Sequence, residues 1–149
     1  MEQGMRLLFL GSGEFGLPTL QKLVASHDVC AVISSEDRPA GRNQKVTPTS
    51  ISAWASQNDI EVLPTADVNS PEMVGKIDAL EVDAMVVIAF GQKLSEDVIG
   101  NRFAINLHAS LLPRWRGASP INAAILHGDT ESGVSVITLA LPGGPDTNE

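Results

Sequence analysis

Long apolar runs, cysteines and basic residues are all scarce in this chain, and each scarcity closes off a class of protein. No apolar stretch approaches the roughly 20 residues that span a bilayer. The opening segment, Met1 to Gly11, pairs one arginine with a short apolar run ending in glycine, so neither a membrane span nor a secretory leader is expected. The single cysteine, Cys30, excludes an intramolecular disulfide and a cysteine-based metal cluster. Its neighbours Val29, Ala31 and Val32 mark it as a small buried hydrophobe, and the expected compartment is the cytoplasm. Ten Lys and Arg stand against 18 Asp and Glu, a formal net charge of −8. That is a poor footprint for a stand-alone nucleic-acid binder, so any such contact must be local. Internal repeats and low-complexity blocks are also missing.

What is present is enough for one globular domain, residues 1–149, since 43% of the chain is hydrophobic and only 19% is charged. Short apolar runs at Arg6 to Gly11, Val29 to Ile33, Ala84 to Ala89, Phe103 to Leu107 and Val134 to Leu141 read as buried strands. Helical patterns at Phe15 to Ser26, Thr49 to Asn58, Ser70 to Leu80 and Ser119 to His127, with a weaker one at Ser95 to Ile99, lie between them. Ser70 followed by Pro71 is an N-cap with proline at the first helical position, and Gly128 closes the helix beginning near Pro120. Near-continuous apolar strands alternating with amphipathic helices predict an α/β fold, an open doubly wound and mainly parallel sheet. Two segments are set down as loops: Ser34 to Pro48, which gathers Arg38, Arg42 and Lys45, and the Pro- and Gly-rich tail 141–149.

The first strand runs into Gly11-Ser12-Gly13-Glu14-Phe15-Gly16, the spacing of a dinucleotide fingerprint, with Glu36 at the end of the second strand. Glycines at such a turn equally serve tight turning and close helix packing with no nucleotide. The richest segment is Asn106-Leu107-His108-Ala109-Ser110-Leu111-Leu112-Pro113-Arg114-Trp115-Arg116-Gly117, at the carboxyl end of a strand, the edge where open α/β sheets bind ligands. Two residues apart on an extended chain, Asn106 and His108 point to one face. An amide that donates without titrating, beside an imidazole that donates or accepts, suits the oxyanion of acyl transfer. A loop histidine that satisfies a backbone carbonyl is the plainer alternative.

Together with Asp37-Arg38-Pro39-Ala40-Gly41-Arg42, this segment resembles the methionyl-tRNA formyltransferase family, over a stretch from about Met5 to about Ile137. Asn-x-His followed by Ser-Leu-Leu-Pro is similar to folate-dependent formyltransferases in general. Arg-Trp-Arg-Gly-Ala and the Asp37 to Arg42 loop resemble the tRNA-acting branch. The resemblance implies a Rossmann-like formyltransferase domain that uses no nicotinamide and no metal. It implies transfer of a formyl group from 10-formyltetrahydrofolate to the α-amino group of initiator methionyl-tRNA, with no membrane and no protein partner evident.

Carried onto this chain, the resemblance makes Asn106 and His108 catalytic, with Asp146 as the carboxylate that orients His108 and relays protons. It puts Ser110, Leu111, Leu112 and Pro113 in the folate site, with Phe90 and Gly91 lining it, and gives Arg38, Arg42 and Lys45 contacts to the tRNA. Asp146 departs from the family's Gly-x-Asp-Thr-Gly pattern in lying about two positions late and in having Asn148 after Thr147 where Gly is usual. His27 and His127, at helix ends, are expected to cap carbonyls. Family members run to about double this length, so the expectation is an N-terminal formyltransferase domain with its C-terminal part missing. Whether such a chain turns over stays open, as do two other readings: a folate- or nucleotide-binding module without turnover, and formyl transfer to a small amine such as glycinamide ribonucleotide or a sugar nucleotide.

Overall fold

The five residues after Arg6 are apolar or glycine and all are buried, which a strand covered on both faces requires. The computed structural model describes residues 4–117 and 119–139. Its strands are Arg6–Gly11 (β1), Asp28–Ser34 (β2), Arg38–Ala40 (β3), Lys45–Thr47 (β4), Glu61–Pro64 (β5), Ala84–Ile88 (β6), Phe103–His108 (β7) and Ser135–Thr138 (β8). The helices are Leu17–Ser26 (α1), Ser50–Gln57 (α2), Pro71–Leu80 (α3), Glu96–Ile99 (α4) and Pro120–Leu126 (α5), and a 3-10 turn at Glu14–Gly16 leads into α1.

The main sheet has the order β5-β2-β1-β6-β7-β8, parallel throughout except for β8, which runs antiparallel to β7. From β1 the chain winds outward to β2 and β5 on one side, then returns to fill β6 and β7 on the other. The switch point therefore falls between β1 and β6, and ligands of open α/β sheets bind at the carboxyl ends beside such a point.

Alternation along the central strands builds two cores. Leu8, Leu10, Met85 and Val87 face α3 and α4, packing with Met73, Ile77 and Val98. Leu7, Phe9, Val86 and Ile88 face α1 and α2, packing with Leu20, Ile51 and Ala55. Each fully buried Leu or Phe contributes about 1.5–3 kcal/mol, so these two layers dominate stability. The helices start where their caps dictate: the hydroxyls of Thr49, Ser70 and Ser95 accept from the backbone N–H of Ser52, Met73 and Val98.

Every expected helix is present, and all five expected strands. Two features were not foreseen. β5 is a four-residue edge strand with two half-exposed apolar residues, too little pattern to mark it. The segment Ser34 to Pro48, a loop by its sequence, carries the antiparallel hairpin β3–β4, whose residues pair Arg38 with Thr47 and Ala40 with Lys45. Its connection, residues 41–44, turns on Gly41 at φ 74°. The last expected strand is shorter, ending at Thr138, and the tail from residue 140 lies outside the described residues.

The glycine turn after β1 is packed against β6. A Cβ at Gly11 would stand 2.7 Å from the Ile88 carbonyl oxygen, and one at Gly16 would stand 3.1 Å from the Phe9 ring. The N–H groups of Ser12 and Gly13 both donate to the Ala89 carbonyl, at 3.1 and 3.3 Å. Two N–H groups of the turn are thus taken up by the residue that follows β6.

Candidate functional site

β7 alternates in burial: Ala104, Asn106 and His108 are buried on one face, while Ile105 and Leu107 are half-buried against the α1–α2 core. Two polar side chains therefore stand where the pleat would otherwise place apolar ones, and burial on those terms demands partners. The His108 ring has two: Nδ1 lies 2.8 Å from Ser110 Oγ, and Nε2 lies 3.0 Å from the Gly117 carbonyl oxygen. Ser110 Oγ in turn lies 2.8 Å from the Arg114 carbonyl oxygen. On β8, the strand partner of β7, Ser135 donates to the Ser110 carbonyl at 2.8 Å and accepts from the Leu112 N–H at 3.1 Å.

Asn106 and His108 open onto a cavity of about 560 Å³ at the carboxyl edge of the sheet. Val87, Leu107, Pro120 and Ile121 give it apolar walls, and the segment after β6 contributes Phe90, Gly91, Gln92 and Lys93. That segment leaves β6 through Ala89 at φ 49° and Gly91 at φ 82°. Gln92 straps it down, accepting from the Val68 N–H at 2.8 Å and donating to the Thr65 carbonyl at 3.2 Å. The 3-10 turn adds Phe15, and the start of α5 adds Ser119 and Asn122.

The loop from Ala109 to Gly117 is held against the far end of α5. Asp129 accepts from Trp115 Nε1 at 2.6 Å and from Arg114 Nη2 at 2.9 Å. The Arg114 guanidinium lies 5.2 Å from the Trp115 ring centre, and the His127 ring lies 4.5 Å from it on centroids. The expectation that His127 caps carbonyls is thus replaced by ring packing. His27 Nδ1 accepts from the Met5 N–H at 2.9 Å, so it too binds a donor and not a helix carbonyl.

Of the residues singled out in the sequence, Asn106, His108, Phe90 and Gly91 converge on the cavity. Ser110 does not line it: the residue is 1% exposed and its hydroxyl faces His108 and Arg114. Leu111, Leu112 and Pro113 also lie outside its lining, and Gly133 makes room for the Leu111 side chain. Arg38, Arg42 and Lys45 sit together on the exposed β3–β4 hairpin. Asp146 lies outside the described residues. Phe15, Gln92 and Asn122 were missed. For Phe15 the signal was its place in the glycine turn at the ligand-binding edge; for Asn122, its place just after the signature segment. Among the described residues no group of three or more His, Cys, Asp or Glu is placed to hold a metal, and no helix is long and apolar enough to cross a membrane.

A family model described as Formyl transferase matches residues 5–145. The methionyl-tRNA formyltransferase of Geobacter sulfurreducens is 44% identical over 149 residues, 98% of this chain and 46% of that protein. The methionyl-tRNA formyltransferase of Methylococcus capsulatus is 46% identical over 146 residues, 95% of this chain and 47% of that protein. The chain therefore spans about half the length of the curated relatives it matches. Among solved structures, phosphoribosylglycinamide formyltransferase from Bacillus halodurans superposes with a TM-score of 0.73 over 91% of this chain and 72% of that one, at 19% identity. At that identity the likeness is one of fold.

Proposed function

The chain belongs to the formyl transferase family, and from that premise we propose that it houses the site that moves a formyl group from 10-formyltetrahydrofolate to the α-amino group of initiator methionyl-tRNA. One observation carries the proposal: the Asn106 amide and the His108 imidazole stand on the same buried face of β7 and both open onto the cavity at the carboxyl edge. At about 560 Å³, with Val87, Phe90, Leu107 and Ile121 in its walls, the cavity suits a flat and largely apolar heterocycle. Phe90 and Gly91 are assigned to the donor's walls, and Leu111, Leu112 and Pro113 to the outer rim of the donor site.

Bound there, the folate supplies a formyl carbon open to attack by an amine. Asn106 donates from an amide that does not titrate, and His108 donates from Nε2, so both stabilise negative charge developing on the formyl oxygen. Gly117, whose carbonyl takes the Nε2 hydrogen in this structure, lines the same cavity, and an oxygen placed in the cavity competes for that hydrogen. On the strength of the family resemblance, Asp146 is assigned the relay of the attacking amine's proton to the folate nitrogen that leaves as its bond to the formyl carbon breaks. Neither a metal nor nicotinamide has a part in this scheme.

The relatives support this acceptor: those at 44% and 46% identity over nearly the whole chain are named for methionyl-tRNA, whereas the likeness to phosphoribosylglycinamide formyltransferase is one of fold. Arg38, Arg42 and Lys45, exposed on the β3–β4 hairpin, are assigned to phosphates of the acceptor arm. Residues 1–149 then correspond to the N-terminal part of such an enzyme, acting in the cytoplasm where translation begins. The test is transfer of a labelled formyl group to methionyl-tRNA by the chain and by its Asn106→Ala and His108→Ala variants. Each variant is expected to lose on the order of a hundredfold to a thousandfold in turnover, with donor binding largely kept. Near-normal turnover in either variant would sink the mechanism. Donor binding with no transfer by the parent chain would leave a folate-binding module.

A further inference from the structure

We propose that Ser110 is a positioning residue that fixes His108 as a hydrogen-bond donor toward the cavity in both of the ring's charge states. The inference rests on the reading of His108 as a transfer residue. It gives Ser110 a role other than ligand contact.

A carbonyl oxygen only accepts, so the Gly117 carbonyl, 3.0 Å from Nε2, requires a hydrogen on Nε2. A serine hydroxyl carries one hydrogen and two acceptor sites. Ser110 Oγ lies 2.8 Å from His108 Nδ1 and 2.8 Å from the Arg114 carbonyl oxygen. When the ring is neutral, its one hydrogen is on Nε2 and the Ser110 hydroxyl donates to the bare Nδ1. When the ring is charged, Nδ1–H donates to Ser110 Oγ and the hydroxyl hydrogen turns to the Arg114 carbonyl. All three contacts are then satisfied at the distances present, whereas the neutral ring leaves Ser110 Oγ and the Arg114 oxygen 2.8 Å apart with no hydrogen between them, so these two atoms must separate. In both, the Nε2 hydrogen remains available on the cavity side, where Gly117 sits. Proton removal from an attacking amine then falls to a group other than Nε2.

The surroundings of Ser110 are built to hold this arrangement. The residue is 1% exposed, and its hydroxyl is engaged by protein atoms alone, which leaves no route to a ligand in the cavity. Its carbonyl is fixed by the Ser135 hydroxyl, which also takes the Leu112 N–H. Ser135 is the residue paired with His108 across the β7–β8 ladder, so a single register position anchors both the ring and its support.

The experiment uses the 149-residue chain with ¹⁵N-labelled histidine and records two-bond ring correlations for the parent, Ser110→Ala and Ser110→Thr, alongside affinity for 10-formyltetrahydrofolate. The parent is expected to show neutral His108 as the Nε2–H form with a hydrogen-bonded Nδ1. In Ser110→Ala the Nδ1 signal should move to that of an unbonded imine nitrogen, Ser110→Thr should restore it, and donor affinity should change by less than about twofold. An Nδ1 signal that Ser110→Ala leaves in place overturns the proposal. So does a loss of donor affinity of about twofold to tenfold, the effect of deleting one direct hydrogen bond to the ligand. If Ser110→Ala does not fold, Ser110→Cys, with its weak donor, is held to the same Nδ1 criterion. Because the ring spectrum needs no turnover, it stands apart from the His108→Ala transfer assay: full transfer by that variant defeats the functional reading, and an unmoved Nδ1 signal defeats this one.

Discussion

Cys30 and His108 are both reactive side chains set into strands, and their neighbours send them to opposite ends. Cys30 donates to the Leu7 carbonyl at 3.3 Å, and burial pushes its thiol up from the ordinary value, with Arg6 pulling weakly the other way. A raised thiol holds less thiolate at neutral pH, and the thiolate is the nucleophile. Alkylation by iodoacetamide should therefore run slower than for an exposed thiol under the same conditions, and its rise with pH should come later. Mass spectrometry of timed quenches measures both, and alkylation as fast as an unfolded control would contradict the packing. His108 instead keeps polar partners on both nitrogens beside a cavity. This pair of positions was legible in the sequence because alternation alone puts Asn106 and His108 on one face. The role of Ser110 was not, because it depends on a loop turning back beneath β7, and no periodicity encodes that turn.

Among the elements, the Ala109 to Gly117 loop shows how an irregular segment is made rigid. Trp115 sits at φ 58°, a costly conformation for a bulky residue, and is kept there by its indole bond to Asp129 and by packing on His127. The Asp129 side chain is 11% exposed while that of Arg114 is 60% exposed, so the two ends of the ion pair carry unequal weight. Asp129→Ala leaves the half-buried indole N–H without its charged acceptor and should cost about 1.5–3 kcal/mol in urea unfolding. Arg114→Ala removes a largely solvated partner and should cost less than about 1 kcal/mol. Equal losses in the two variants would contradict this account. Helices and central strands were readable because their apolar patterns are long and their caps are explicit, as at Ser70-Pro71. β5 and the β3–β4 hairpin were not, since each strand has three or four residues, and pairing in place of burial defines them.

At the scale of the whole molecule, a formal net charge of −8 opposes the approach of a nucleic acid. Distance decides the matter. At physiological ionic strength the screening length is about 8 Å, so a phosphate docked on the hairpin responds to Arg38, Arg42 and Lys45 and only weakly to carboxylates across the sheet. On the proposed reading, the acidic body slows non-specific encounter and the exposed hairpin is where a polyanion would settle. Such binding should weaken with salt at a slope of about 0.9 per phosphate contacted on duplex, near 0.7 on single strands, which caps the hairpin's share at about three contacts. Arg42→Glu should lower affinity for methionyl-tRNA and reduce the salt slope by about one, while leaving 10-formyltetrahydrofolate affinity unchanged, because Arg42 does not line the cavity. Filter binding across a salt series, run beside a donor titration, tests both halves. A slope that stays the same would detach the hairpin from the tRNA, and a loss of donor affinity would mean that the hairpin and the cavity are not the independent sites their placement implies.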